Sequence, residues 1–190
     1  MTYTVETINV ASNTYILEAF NRGIVNGRWC GDADTYIFAP NGNFTRAEAT
    51  QILWNITGRP PANAPAPFSD TVNHWGAPAI AWASEAGIVG GRGDGTFAPD
   101  EAISREDLFT LLWRFARIAY GVDNLTPTPS AGWPFPDNHL INEWAANAIM
   151  WLHAEGHVQG DGYGNVNPRN TANRTEAATI VVRFVRAVLD

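Results

Sequence analysis

Apolar residues recur in three stretches of this chain with the same register. Counting from Arg46, Arg105 and Arg174, they fall at the third, sixth, seventh and tenth following residues: Ala49, Ile52, Leu53 and Ile56; Leu108, Leu111, Leu112 and Phe115; Ala177, Ile180, Val181 and Phe184. That spacing is one face of an α-helix, so three helices with equivalent buried stripes are predicted. An earlier helical stretch precedes each of them. In the second copy it runs from about Gly76 to Gly87; in the third it carries Trp144 and Ile149 and stops at Gly156; in the first it precedes Gly23-Ile24-Val25-Asn26-Gly27. Each copy reads as helix, Gly-containing loop, helix.

Self-similarity of this kind sets the architecture. The copies span residues 12–58, 68–120 and 135–188. They are joined by two Pro-rich connectors, one from Arg59 to Pro67 and one from Asn124 to Pro136, which are stiff and extended. A single helix pair cannot bury its apolar face alone. The expectation is therefore one module over 1–190, all-α, with three helix–loop–helix repeats packed as a pseudo-threefold helical bundle. The first copy departs at its front. Ala11 stands where Trp75 and Trp144 stand in the others, no Phe-x-Asp precedes it, and Ser12 or Asn13 is its candidate N-cap. Its loop is also longer, and carries Trp29, Cys30, Asp32 and Asp34.

A polar phrase opens each second helix: Thr45-Arg46-Ala47-Glu48, Ser104-Arg105-Glu106-Asp107 and Asn173-Arg174-Thr175-Glu176. Thr, Ser or Asn followed three residues later by Glu or Asp is the capping-box pattern, which accounts for the first and fourth positions. The arginine is not so explained, because a cation in the first turn opposes the helix dipole by about 0.3–1 kcal/mol. Two readings stand open. Either the arginine makes a structural ion pair, for example with Asp70 or Asp137, or it faces a ligand anion together with helix-start amides.

Composition narrows the function classes. Of 190 residues 45% are hydrophobic, enough for a real core, and formal net charge is -7. All twelve basic residues are arginines. An acidic chain without a basic face is not read as a nucleic-acid binder or as a polybasic membrane binder. No run is long enough for membrane insertion. The start, Met1-Thr2-Tyr3-Thr4-Val5-Glu6, shows no signal peptide, so an exported parent would hold this chain as one piece. Cys30 stands alone and forms neither an intramolecular disulfide nor a Cys-pair metal motif.

Taken in order, Phe68-Ser69-Asp70, Trp75, Ala79-Ile80, Gly87-Ile88-Val89-Gly90-Gly91, Gly93-Asp94-Gly95-Thr96-Phe97, Pro99 and Ser104-Arg105-Glu106-Asp107 resemble the S-layer homology (SLH) domain, here in three copies from about residue 12 to 188. The resemblance implies a non-catalytic module, all-α and pseudo-threefold. It would anchor a bacterial surface protein to secondary cell-wall polysaccharide carrying anionic pyruvate ketals. It would need no cofactor and would act as a monomeric module of a larger protein at the extracellular cell surface. It also implies that the phrase arginine contacts the anionic ligand, while the Asp and Trp ahead of the first helix and loop glycines line the same inter-repeat groove. The ligand-binding set is then Arg46, Asp70, Trp75, Gly91, Arg105, Asp137, Trp144, Gly160 and Arg174.

We expect Arg46 to share a groove with Asp70, Trp75 and Gly91, and Arg105 to share one with Asp137, Trp144 and Gly160. Arg174 faces the divergent first copy, and its groove is expected to be weak or silent. The competing reading is a self-assembly or protein-interaction domain whose repeat arginines are internal ion pairs. Other signals weigh less. Gly-Asp-Gly turns at Asp94 and Asp161 lack the alternating ligands of a calcium loop. His153 and His157 lack a third metal ligand, Trp54 and Trp113 read as core, and no nucleophile elbow or glycosidase spacing is present.

Overall fold

Each polar phrase starts a helix where the capping chemistry places it. The computed structural model describes residues 2–4, 10–25, 28–29, 35–121, 125 and 132–188. Among them lie six α-helices: α1 (Val10–Asn21), α2 (Arg46–Ile56), α3 (Ala77–Glu85), α4 (Arg105–Ala119), α5 (Glu143–Ala154) and α6 (Arg174–Val188). They pair as α1 with α6, α2 with α3, and α4 with both α5 and α6. The class is all-α. Three short strands, β1 (Thr2–Thr4), β2 (Arg28–Trp29) and β3 (Thr35–Ile37), form a small sheet in the order β1-β3-β2 at the longer first loop. Sequence periodicity gave no sign of it, because strands this short carry no readable alternation. The loop residues Cys30, Asp32 and Asp34 lie outside the described residues.

The apolar stripes of α2, α4 and α6 face the core. Ile52, Leu53, Leu108, Leu112, Val181 and Phe184 are buried in one cluster with Ile16, Ile80 and Ile149 from the first helices. Thr45 and Glu48 close a full capping box, as do Asn173 and Glu176. Ser104 accepts from the Asp107 amide at 3.1 Å. The shorter Asp107 side chain is aimed elsewhere, as described below. Helix α1 begins at Val10, so Ser12 and Asn13 lie inside its first turn and neither is the N-cap.

The three phrases are tied to one another through the backbone. Phe44 N donates to Ala172 O, Ala172 N to Ile103 O and Ile103 N to Phe44 O, at 2.8–3.0 Å. Arg46 N donates to Glu101 O, Arg105 N to Asn170 O and Arg174 N to Gly42 O. These bonds close a ring in which the amides at each helix start are satisfied by the preceding loop of another copy, so donors that a helix cannot satisfy internally are not left orphaned.

Each of those loops turns through a left-handed residue just ahead of a proline: Ala39 (φ 50), Ala98 (φ 57) and Asn167 (φ 50) precede Pro40, Pro99 and Pro168. For alanine this conformation costs about 1–2 kcal/mol. In the second and third copies an aspartate holds the turn. Asp70 accepts from Phe97 N and Ala98 N at 2.9 and 2.8 Å, and Asp137 from Val166 N and Asn167 N at 2.9 and 2.7 Å.

Candidate functional site

The ring of helix starts fixes where the phrase arginines go. Each Nε donates to a loop carbonyl of the next copy: Arg46 to Phe97 O at 2.8 Å, Arg105 to Val166 O at 2.8 Å and Arg174 to Phe38 O at 2.6 Å. The guanidinium of Arg46 lies over the Phe97 ring, 4.5 Å from its centroid, and that of Arg174 lies over Phe38 at 5.0 Å. In the third copy the loop residue is Val166, and Arg105 lies over Phe109 of its own helix instead, at 5.3 Å. The nearby carboxylate is the fourth residue of the next phrase. Arg46 Nη1 stands 3.8 Å from Asp107, Arg105 Nη1 stands 3.8 Å from Glu176, and Arg174 Nη1 bonds Glu48 directly. Asp70 and Asp137, expected as counter-ions or groove lining, are the turn-holding groups already described.

The three surroundings differ. Arg46 and Arg174 are both buried, at 7% and 5% exposure, and Arg174 is closed onto Glu48. Arg46 also donates from Nη2 to Gly90 O at 3.1 Å, and its guanidinium forms one wall of a cavity of about 310 Å³. The second copy supplies Gly90, Gly91, Arg92 and Phe97 from its loop, and Asp107, Thr110 and Arg114 from α4. Trp144, at the start of α5, closes the third side. Asp107, Thr110 and Arg114 fall on one face of α4 by their spacing. Burial, and then repulsion by Arg92, pushes Arg46 below the ordinary arginine value; burial does the same to Arg114. A wall of incompletely neutralised, desolvated cations favours an anion. Asp107 is the carboxylate among the lining residues, 3.8 Å from Arg46 and 4.0 Å from Arg92.

The structure thus brings Arg46, Gly91 and Trp144 together and leaves Asp70 and Trp75 out of that cavity. Trp144 was expected beside Arg105. The cavity draws its arginine, loop and tryptophan from three successive copies, so the tryptophan of the third copy meets the arginine of the first. Glu106, buried on α4, accepts from Asn142 N at 3.1 Å and Asn142 Nδ2 at 2.7 Å, which puts Trp144 within the first turn of α5. In the second copy His74 Nδ1 accepts from Gly76 N at 3.0 Å, α3 starts at Ala77, and Trp75 lies ahead of it, exposed and 5.0 Å from the His74 ring.

Gly91 and Gly160 are required by close approach. A Cβ on Gly91 would stand 2.7 Å from both Phe68 and Thr96 O, and one on Gly160 would stand 2.5 Å from Gly164. Arg105 meets the third-copy loop at Val166 O, and Gly160 belongs to that loop. The tryptophan position that would complete that place in the ring, as Trp144 does for Arg46, belongs to the first copy, where Ala11 stands.

Sequence reasoning missed Arg92 and Arg114. The signals available were the arginine next to Gly91 in the loop, and an arginine seven residues beyond Asp107 on the same helix face. The remaining candidates have structural surroundings. Trp54 and Trp113, expected in the core, are half-buried and donate to Pro60 O and Leu125 O at 2.8 Å, holding the connectors against the bundle. His153 Nδ1 stands 3.1 Å from Val158 O, and His157 is buried against Trp151 and Phe184. Among the described residues no group of three or more His, Cys, Asp or Glu could hold a metal ion, and no helix is long and apolar enough to cross a membrane.

Comparison with known proteins bears on two of the three copies directly. The S-layer homology domain family matches residues 67–109 and 136–178. Cell surface glycoprotein 1 of Acetivibrio thermocellus is 30% identical over 151 residues, which cover 77% of this chain and 6% of that protein. The cellulosome-anchoring protein of the same organism is 30% identical over 156 residues, 77% of this chain and 33% of its own length. S-layer protein sap of Bacillus anthracis is 30% identical over 176 residues, 92% of this chain and 20% of its own. The chain therefore spans a third or less of each of these relatives.

Proposed function

We propose that this chain is a three-copy S-layer homology module that anchors a larger protein to the bacterial cell wall, outside the membrane, without catalysis and without a cofactor. Its ligand is a secondary wall polysaccharide bearing pyruvate ketals. Two matched domain segments support the first statement, as do relatives named for the cell surface, anchoring and S-layers. The observation that carries the site is the Arg46 cavity, where cations, backbone at two glycines and an exposed indole converge.

The chemistry fits an acidic sugar. A pyruvate ketal presents a carboxylate fixed on a pyranose ring. Arginine suits the carboxylate and an indole face suits the ring, and the Gly90–Gly91 backbone admits close approach. At 310 Å³ the cavity is at the small end of ligand sites, sized for a sugar residue rather than an extended chain. Of the candidate set, Arg46, Gly91 and Trp144 touch the ligand in this reading, while Asp70, Asp137 and Gly160 shape the loops. Arg105, Trp75 and Arg174 each lack part of the constellation. The threefold arrangement of the copies belongs to the same reading and is supported by the ring of backbone bonds between the phrases.

The structural reading of the arginines keeps one specific observation in its favour, the direct Arg174–Glu48 pair. It describes the third phrase and does not account for the open cavity at the first. The test is sedimentation of the protein with purified bacterial sacculi, before and after mild acid hydrolysis that removes ketal pyruvate. Binding to the native sacculi that is lost on the stripped ones is expected. Equal binding to both would overturn the pyruvate ketal, and concentration-dependent self-association with no sacculus binding would favour the assembly domain.

A further inference from the structure

The position nine residues after the phrase arginine is Asn55 in the first copy, Arg114 in the second and Arg183 in the third. In the first copy, Asn55 Nδ2 donates to Ile24 O at 3.3 Å. In the second, Arg114 Nη1 donates to Ile88 O at 3.2 Å, on the matching residue of the Gly-Ile-Val loop. Tethering that loop therefore needs only an amide. Asp107 in the same cavity favours the Arg114 charge but is shared with Arg46 and Arg92, and the donors Arg114 keeps beyond the one given to Ile88 exceed what the tether needs. They face the cavity, where Arg46 is already committed to Phe97 O and Gly90 O, and Arg92 to Glu101 at 2.6 Å. In the third copy Arg183 lies over the Tyr15 ring, 5.4 Å from its centroid, and lines no part of this cavity.

Resting on the function proposed above, we propose that Arg114 is the specificity-determining residue of the Arg46 cavity: its guanidinium holds the acidic group of the bound sugar. Arg46 shapes the Gly90–Gly91 wall and supplies a second positive charge. Selectivity for a charged over a neutral glycan is then set by a residue outside the repeated phrase, on the far wall of the cavity. It is a property of the second copy alone.

The experiment compares four proteins on native and ketal-stripped sacculi: the unaltered chain, Arg114→Gln, Arg114→Lys and Arg183→Gln. Glutamine keeps an amide that can reach Ile88 O and removes the charge. It should weaken binding to native sacculi by about tenfold to a hundredfold, the span expected for one charge-assisted hydrogen bond. It should also abolish the preference for native over stripped sacculi and flatten the salt dependence. Lysine should restore the preference, and Arg183→Gln should bind as the unaltered chain does. Arg114→Asn, which copies the first repeat's own tether, serves as a second neutral variant if glutamine disturbs folding. A neutral variant that keeps full affinity and full preference would overturn the role of Arg114 while leaving the anchoring function standing. If the unaltered chain itself shows no preference, the reading on which this proposal rests fails, and the proposal with it.

Discussion

Arg46 and Arg174 hold the same place in the same phrase and do different things. Arg174 is buried against Phe38 and paired directly with Glu48, whose carboxylate also closes the cap of α2. Removing one partner of a buried pair strands the other, at about 3–5 kcal/mol. Arg174→Ala is therefore expected to lower the urea midpoint severely, yet to leave sacculus binding intact at temperatures where the variant is folded. Arg46→Ala should do the reverse in emphasis, losing wall binding by tenfold or more. Equilibrium denaturation alongside sedimentation separates the two, and a Arg174→Ala protein that is stable but cannot bind would contradict this division.

Titration also acts residue by residue. Burial among Trp151 and Phe184 holds His157 below its ordinary value of 6.5. The unfolded chain then takes up this proton first, so stability must fall as pH drops through about 6.5. Burial alone would raise Asp70, but the Phe97 and Ala98 amides bring it below 3.8. Asp94, held by Thr96, and Asp161, held by Asn167 and by the Tyr163 and Asn165 amides, are likewise lowered. Their contribution is complete above 3.8 and is lost as pH falls through their folded values. Urea midpoints from pH 7.5 to 3 should thus show two declines, and His157→Phe should remove only the upper one. A flat profile between 7.5 and 5 would contradict the buried neutral imidazole.

At the scale of elements, the loop between α3 and α4 links stability to the site. Gly91 packs under Phe68 and against Thr96 O, while its neighbour Gly90 has nothing within 4 Å of a notional Cβ. Gly91→Ala should cost about 1–3 kcal/mol by overpacking, and should weaken wall binding because this backbone lines the cavity. Gly90→Ala should leave the urea midpoint within the scatter of surface substitutions; equal effects of the two on stability would refute the packing argument.

The starts of α2, α4 and α6 were legible in the sequence because capping is local chemistry, with donor and acceptor three residues apart. The destination of Trp144 was not. It depends on how the three copies close into a ring, which no period or local motif encodes. The counter-ions of the phrase arginines were missed for the same reason, since each lies in a different copy. The aspartate of Phe-x-Asp was legible as a repeated polar residue. Its work on the left-handed turn at Ala98 or Asn167 needed coordinates.

Across the whole molecule, the copies contribute unequally to the Arg46 cavity. The Arg46 cavity draws its arginine from the first copy, its loop and helix face from the second and its indole from the third. At the corresponding place for Arg105 the tryptophan position holds Ala11, and Arg174 is closed onto Glu48. The pattern of helix stripes and phrases made three grooves conceivable; we propose that, among the described residues, the Arg46 place alone carries the full set of arginine, glycine backbone and indole. The most direct test of that claim is a set of binding isotherms on native, pyruvylated sacculi for the unaltered chain and for Arg46→Ala, Arg105→Ala and Arg174→Ala, each confirmed folded. The account predicts that Arg46→Ala loses at least tenfold in affinity while the other two stay within a few-fold of the unaltered chain. Arg105→Ala or Arg174→Ala proving as harmful as Arg46→Ala would contradict it.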